Sequence, residues 1–174
     1  MKKLLVICGP TATGKTSLAI NLAEKIEGEI ISADSRQVYK RMNIGTGKDL
    51  PNNAKFVMKN SELGGYYPIK GVRIWGYDLV DPKKKYSVSK YTKTARKIIR
   101  DIWRRKKIPI LTGGTGLYIH SVVDGIDTAS IPKNKKLRNS LEEMDVYQLY
   151  EKLAQLDAIK AASMNVSDKK NPRR

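Results

Sequence analysis

At 174 residues the chain is long enough for one ordinary domain with a substantial core, although 40% apolar content and a single Phe leave it on the polar side. Lys and Arg number 34 against 17 acidic residues, a net charge of +17 that exceeds what solubility requires and indicates a polyanionic partner, with general surface solvation as the plainer alternative. No long apolar segment or amphipathic anchor stands out, which puts nucleic acid ahead of a membrane, and the lone Cys8 excludes an internal disulfide framework or a cysteine metal cluster.

The first element expected is a strand over Leu4–Cys8, a continuous apolar run suited to burial on both faces, with Cys8 a small core residue. Preceded only by Met1-Lys2-Lys3, this run is too short for a signal peptide, so a cytoplasmic protein without a membrane span is expected. It leads into Gly9-Pro10-Thr11-Ala12-Thr13-Gly14-Lys15-Thr16, in which Gly9, Gly14, Lys15 and Thr16 fill every fixed position of the phosphate-binding pattern G-x-x-x-x-G-K-[ST]. The residue types suit the chemistry. Glycines let backbone N–H groups turn inward around an anion, the lysine supplies a point charge, and the Thr16 hydroxyl can ligate Mg²⁺. A helix follows over Ser17–Ile26, with apolar residues at 18, 19, 22, 23 and 26, and its N-terminus adds to the anion site.

A second strand, 28–33, runs into Asp34-Ser35; residues 45–71, rich in Gly, Pro and Asn, read as mobile loop; 72–77 is a third strand. Between Ser87 and Lys107, Val88, Tyr91, Ala95, Ile98, Ile99, Ile102 and Trp103 form one helical stripe, with a basic complement on the solvated side. A fourth strand over 108–112 leads to Gly113-Gly114-Thr115-Gly116 and a helix beginning Leu117-Tyr118-Ile119, where a second anion or hydroxyl site is expected at the helix N-terminus. His120, the only histidine, is read as packing or surface. Beyond Pro132 short polar helices are expected at 135–144 and 146–156, with no further strand.

Strands alternating with helices predict an α/β fold: a parallel sheet of the P-loop NTPase-like type, covered by helices on both faces, with a small helical segment after it. The expected division is 1–131 for the α/β core and 132–174 for the helical segment. Function in such a sheet lies outside the carboxyl ends of the strands. There Asp34 is a general base or a carboxylate supporting Mg²⁺, with a helix-cap or turn role as the plainer alternative, while Asp78 and Asp81 are weaker candidates because Asp beside Pro82 and Lys83-Lys84-Lys85 is often only turn chemistry.

Taken together, GPTATGKT at 9–16, ISADSRQVYKRMNIGTGK at 31–48, YDLVDPKKKYSV at 77–88 and GGTGLYI at 113–119 resemble the tRNA dimethylallyltransferases, also called tRNA isopentenyltransferases or the IPP transferase family. The resemblance runs from Leu4 to Arg174 and is weak over 50–77 and 131–163. It implies transfer of a dimethylallyl group from dimethylallyl diphosphate to the exocyclic amine of the adenosine adjacent to the tRNA anticodon. It also implies that Gly9, Pro10, Thr11, Ala12, Thr13, Gly14, Lys15 and Thr16 hold the diphosphate, with Thr16 on Mg²⁺. Asp34, Thr115, Lys15 and Arg138 would be catalytic. Asp34, Ser35, Arg36, Gln37, Val38, Thr115, Arg138 and Arg174 would meet the tRNA anticodon loop. The family implies a monomer at full length; 174 residues is a little over half of a typical member, and if the later helices normally cover the sheet, their absence favours self-association or instability. Two other readings share the phosphate loop: a small-molecule or nucleoside kinase, in which the loop binds ATP, and an inactive RNA-binding fragment.

Overall fold

A computed structural model describes residues 2–48, 50–125 and 134–172, and the chain divides into two compact units, residues 1–129 and 130–174. In the first unit the order is β1 (Leu5–Cys8), α1 (Lys15–Ile26), β2 (Gly28–Ser32), β3 (Val57–Asn60), β4 (Gly64–Ile69), β5 (Val72–Trp75), α2 (Val88–Arg104), β6 (Ile108–Gly113) and α3 (Gly116–Val123). The six strands form one sheet in the order β1-β6-β2-β5-β4-β3. The first four in that order pair in parallel, and β5-β4-β3 continue as antiparallel neighbours.

Successive strand residues point to opposite faces, and the sequence fills both. Ile30, Ile74 and Ile110 pack on one face against Ala19 and Ala23 of α1. Ile31, Trp75 and Leu111 pack on the other against Tyr91, Ala95, Ile98 and Ile102 of α2 and Tyr118 and Val122 of α3. This two-sided burial explains the apolar runs of β2 and β6, and it is the expected α/β architecture. The stripe on α2 is the predicted one: Tyr91, Ala95, Ile98, Ile99 and Ile102 are buried, and Ser87 caps the helix by accepting from Lys90 N at 3.3 Å.

Three expectations are corrected. Strand β1 is not buried on both faces: it lies at the sheet edge, Val6 is 39% exposed, and Cys8 is exposed and not a core residue. Residues 45–71 are not loop throughout, because β3 and β4 lie within them, held by β4 register with β5 from Tyr66↔Trp75 to Ile69↔Val72. Aromatic packing supplies the reason, with Phe56 5.2 Å from Tyr67 and Tyr66 4.8 Å from Trp75 between ring centroids. Asp78, read as turn chemistry, instead enters a buried ion pair described below, whereas Asp81 does cap a turn by accepting from Lys83 N at 2.9 Å.

The amino end of β2 is locked to α2. Buried Glu29 accepts from Trp75 Nε1 at 2.9 Å and from Arg105 Nη2 at 2.8 Å, with Arg105 Nη1 on its other oxygen. That contact with Glu29 raises the Arg105 pKa above its usual value.

The second unit, by itself, holds α4 (Lys135–Glu142), α5 (Val146–Leu156), α6 (Ala158–Ser163) and α7 (Val166–Lys169). Side chains start them: Asn134 caps α4, Asp145 and Gln148 form a capping box on α5, and Asp157 caps α6. Its packing is sparse, with Ala161 buried and Tyr150 donating to Ala161 O at 3.2 Å, while Tyr147, Leu156 and Ile159 are exposed. Among the described residues no strand occurs in this unit, and no helix in either unit is long and apolar enough to cross a membrane.

Candidate functional site

The parallel strands deliver three turns to one place. After β1 comes the loop 9–16, after β2 the turn 34–37, and after β6 the turn 113–116. The sequence packs them closely. A Cβ on Gly113 would lie 2.3 Å from Ala33 O, so only glycine lets β6 pass the end of β2, and one on Gly114 would lie 3.5 Å from Gly9 O. Thr115 closes the joint: its Oγ1 accepts from Ser35 N at 3.0 Å, and its N–H donates to Ala33 O at 3.1 Å. The resulting cleft is lined by Thr11–Ser17, Ser32, Asp34, Gln37, Gly47, Tyr77 and Thr112–Gly114.

The loop 9–16 turns on two left-handed residues. Gly14 takes φ 76° as the residue before α1, and Ala12 takes φ 64°, a left-handed conformation uncommon outside glycine. No side chain caps α1, so the N–H groups of its first turn open toward the loop. Lys15 folds over this mouth, donating to Pro10 O and to Thr13 Oγ1 at 3.3 Å, and Thr13 Oγ1 donates to Pro10 O at 2.9 Å.

Asp34 is half-buried at the end of β2. Its Oδ1 accepts from Arg36 N at 2.8 Å and Gln37 N at 3.3 Å, which fixes the carboxylate by its own turn; Oδ2 accepts from no described residue. Asp34 and Lys15 line the same cleft. Behind the turn, Tyr91 and Tyr118 stack at 4.0 Å between centroids, and Tyr91 donates to Ser32 O at 2.8 Å. Burial first, then Tyr86, Tyr39 and the Asp34 charge, pushes the Tyr118 phenol up to about 12.

The expected site residues separate into groups. Residues 11–16, Asp34 and Gln37 line the cleft, with Thr115 at its joint. Ser35 and Arg36 are exposed, the Val38 side chain is wholly in the core, and the Gln37 side chain lines the cleft while its amide is bonded to Ser32 and the 46–47 backbone. Arg138 is exposed on α4 in the second unit, and Arg174 lies outside the described residues. His120 is on the surface, 3.7 Å from Asp124. Ser32, Gly47, Tyr77 and Thr112 complete the cleft without having been singled out; all but Gly47 follow from their places at strand ends, the one available signal.

The donor set suits a hydrated divalent cation. Among the described residues no three His, Cys, Asp or Glu side chains gather as a metal cage. Thr16 and Asp34 supply oxygen to the cleft, and Thr112 Oγ1 is buried at its wall without a partner. Such a site fits Mg²⁺ held mainly by phosphate oxygens and waters.

Two family models match the chain, IPP transferase over residues 37–174 and isopentenyl transferase over residues 2–59. The tRNA dimethylallyltransferase of Carboxydothermus hydrogenoformans is 41% identical, covering 96% of this chain and 50% of the relative, and that of Anoxybacillus flavithermus is 40% identical over 92% and 47%. The chain therefore spans about half the length of these curated relatives. Among solved structures, a eukaryotic dimethylallyltransferase acting on tRNA is similar with TM-score 0.79 and 31% identity, over 100% of this chain and 40% of that one. The full-length tRNA isopentenylpyrophosphate transferase of Bacillus halodurans gives 0.61 and 34%, over 100% and 53%. With phosphate loop, Asp34 turn and glycine-threonine turn assembled as one cleft, and a family model over most of its length, the chain belongs to the IPP transferase family.

Proposed function

We propose that this chain carries the reacting centre for transfer of a dimethylallyl group from dimethylallyl diphosphate to the N6 amine of the adenosine adjacent to a tRNA anticodon. The observation that carries the reading is the convergence of a phosphate loop and a turn-fixed carboxylate on one cleft. An aromatic amine is a weak nucleophile, so the leaving group must do much of the work. The α1 N-terminus and Lys15 stabilise the diphosphate as the allylic C–O bond breaks and its electron pair passes to oxygen. Thr16 would help hold Mg²⁺, which would supply further positive charge to that diphosphate. Asp34 orients the amine by accepting from N6–H; as the C–N6 bond forms, the N6 proton passes to the Asp34 carboxylate. Thr115, holding Ser35, keeps that carboxylate turn against the diphosphate side of the cleft. The relatives' name, tRNA dimethylallyltransferase, is in keeping with a tRNA acceptor and a dimethylallyl donor, and the net charge of +17 suits an RNA partner.

The test is incubation with labelled dimethylallyl diphosphate, Mg²⁺ and unmodified tRNA. Label enters RNA with the wild-type chain. Asp34→Ala binds the donor but loses transfer by about a hundredfold or more, and Lys15→Ala loses donor binding as well. Transfer unchanged in Asp34→Ala removes the base role, and ATP turnover without label transfer supports a kinase instead.

A further inference from the structure

Lys48 is the unexplained charge of the first unit. Its side chain is 0% exposed, and its ammonium reaches three acceptors: Asp78 Oδ1 at 2.6 Å, Tyr39 O at 2.6 Å and Asn43 Oδ1 at 3.3 Å. Three protons meet three acceptors, so the group has no donor left for a ligand. Burying an ammonium is costly, and an apolar pair in its place is often as stable. A role in geometry accounts for it better than a role in stability.

That geometry closes around Gln37. The Gln37 amide donates from Nε2 to Gly47 O at 2.8 Å and Thr46 O at 3.1 Å, and accepts from Ser32 Oγ at 2.6 Å. Lys48 ends the same loop and fastens it to Asp78. Asp78 returns to Gln37, donating from its backbone N to Gln37 O at 3.2 Å, while Tyr67 of β4 donates to Asp78 Oδ2. The ring Gln37–loop 42–48–Lys48–Asp78–Gln37 is complete, and Gln37 N is one of the two groups that hold Asp34 Oδ1.

We propose that the buried Lys48–Asp78 pair positions Asp34, clamping Gln37 between two chain segments so that the carboxylate keeps its direction into the cleft. The pair touches no reacting atom; it acts through Gln37. The proposal rests on the transferase reading for its kinetic consequence, but its structural consequence stands alone. Small misplacement of a catalytic group costs as much as two orders of magnitude in rate.

Lys48→Met tests it, read by amide hydrogen exchange, diphosphate affinity, kinetics and thermal midpoint. Exchange at Arg36 and Gln37 accelerates, kcat falls about tenfold to a hundredfold, and both KM for dimethylallyl diphosphate and diphosphate affinity stay unchanged. The double variant Lys48→Met/Asp78→Asn removes both charges of the pair and keeps a residue suited to the Asp78 φ of 54°. It recovers the thermal midpoint but neither kcat nor the slow exchange. Should Lys48→Met not fold, Asp78→Asn alone gives the same readouts. Unchanged exchange at Arg36 and Gln37, or recovery of all properties together in the double variant, overturns the positioning role. A wild-type chain that binds diphosphate without transferring label overturns the transferase reading, and the exchange result then decides the positioning by itself.

Discussion

Tyr118 stands behind Asp34 with its phenol pushed up to about 12, burial being the largest cause, and Tyr91 beside it is raised well above its usual value by burial. An unfolded tyrosine ionises near 10, so above that pH the folded chain retains protons that the unfolded chain has lost. The stability contribution is full below pH 10 and is lost as pH rises through 12. Thermal midpoints measured from pH 8 to 11 therefore fall above pH 10, and Tyr118→Phe, which cannot ionise, falls less steeply. Equal slopes would contradict the assignment. At this scale the sequence reveals what a local pattern encodes. Lys15 and Thr16 were legible from spacing alone, and Asp34 from its place at a strand end. Lys48 was not, since its partner Asp78 lies 30 residues away and only tertiary packing joins them. Nor does anything in DSRQVY mark that the Val38 side chain turns into the core.

Among the elements, those that bury one periodic face were readable and those fixed by neighbours were not. The stripe of α2 and the apolar runs of β2 and β6 dictate their own burial. β1 has an equally apolar run, yet its edge position depends on strand order, which one strand's residues do not carry. Likewise β3 and β4 hide among glycines and prolines; their pairing rests on cross-strand aromatic contacts with Phe56 and Trp75. The tie between α2 and the sheet gives an element-scale prediction. Glu29 is 1% exposed and joins Arg105, just past α2, to Trp75 of β5. Glu29→Leu leaves Trp75, Arg105 and the more distant Arg73, 3.5 Å from Glu29, without their acceptor and lowers the unfolding free energy by about 3 kcal/mol in urea titration. The cleft lies at the opposite ends of the strands, so on the proposed reading donor affinity in the folded variant stays as in the wild type. A loss below about 1 kcal/mol would show that the ion pair contributes little.

For the whole molecule, charge and length bear on function together. The chain spans about half of its curated relatives, and its first unit holds the phosphate loop, Asp34 and Thr115, whereas Arg138 belongs to the second. On the proposed reading the +17 charge attracts an RNA backbone. Affinity for tRNA, measured by filter binding, then falls about a thousandfold between 50 and 200 mM salt if six or more phosphates are contacted. A flat salt dependence would make the charge a matter of solvation. In the proposed reaction one cleft releases diphosphate from an allylic donor and presents an adenine amine to the carbon left behind. Nucleoside analysis of tRNA incubated with the chain, dimethylallyl diphosphate and Mg²⁺ tests it most directly. N6-dimethylallyladenosine beside the anticodon is expected with the wild type, and less by about a hundredfold or more with Asp34→Ala; unmodified adenosine in a reaction where the wild-type chain binds both substrates would refute the proposed reaction.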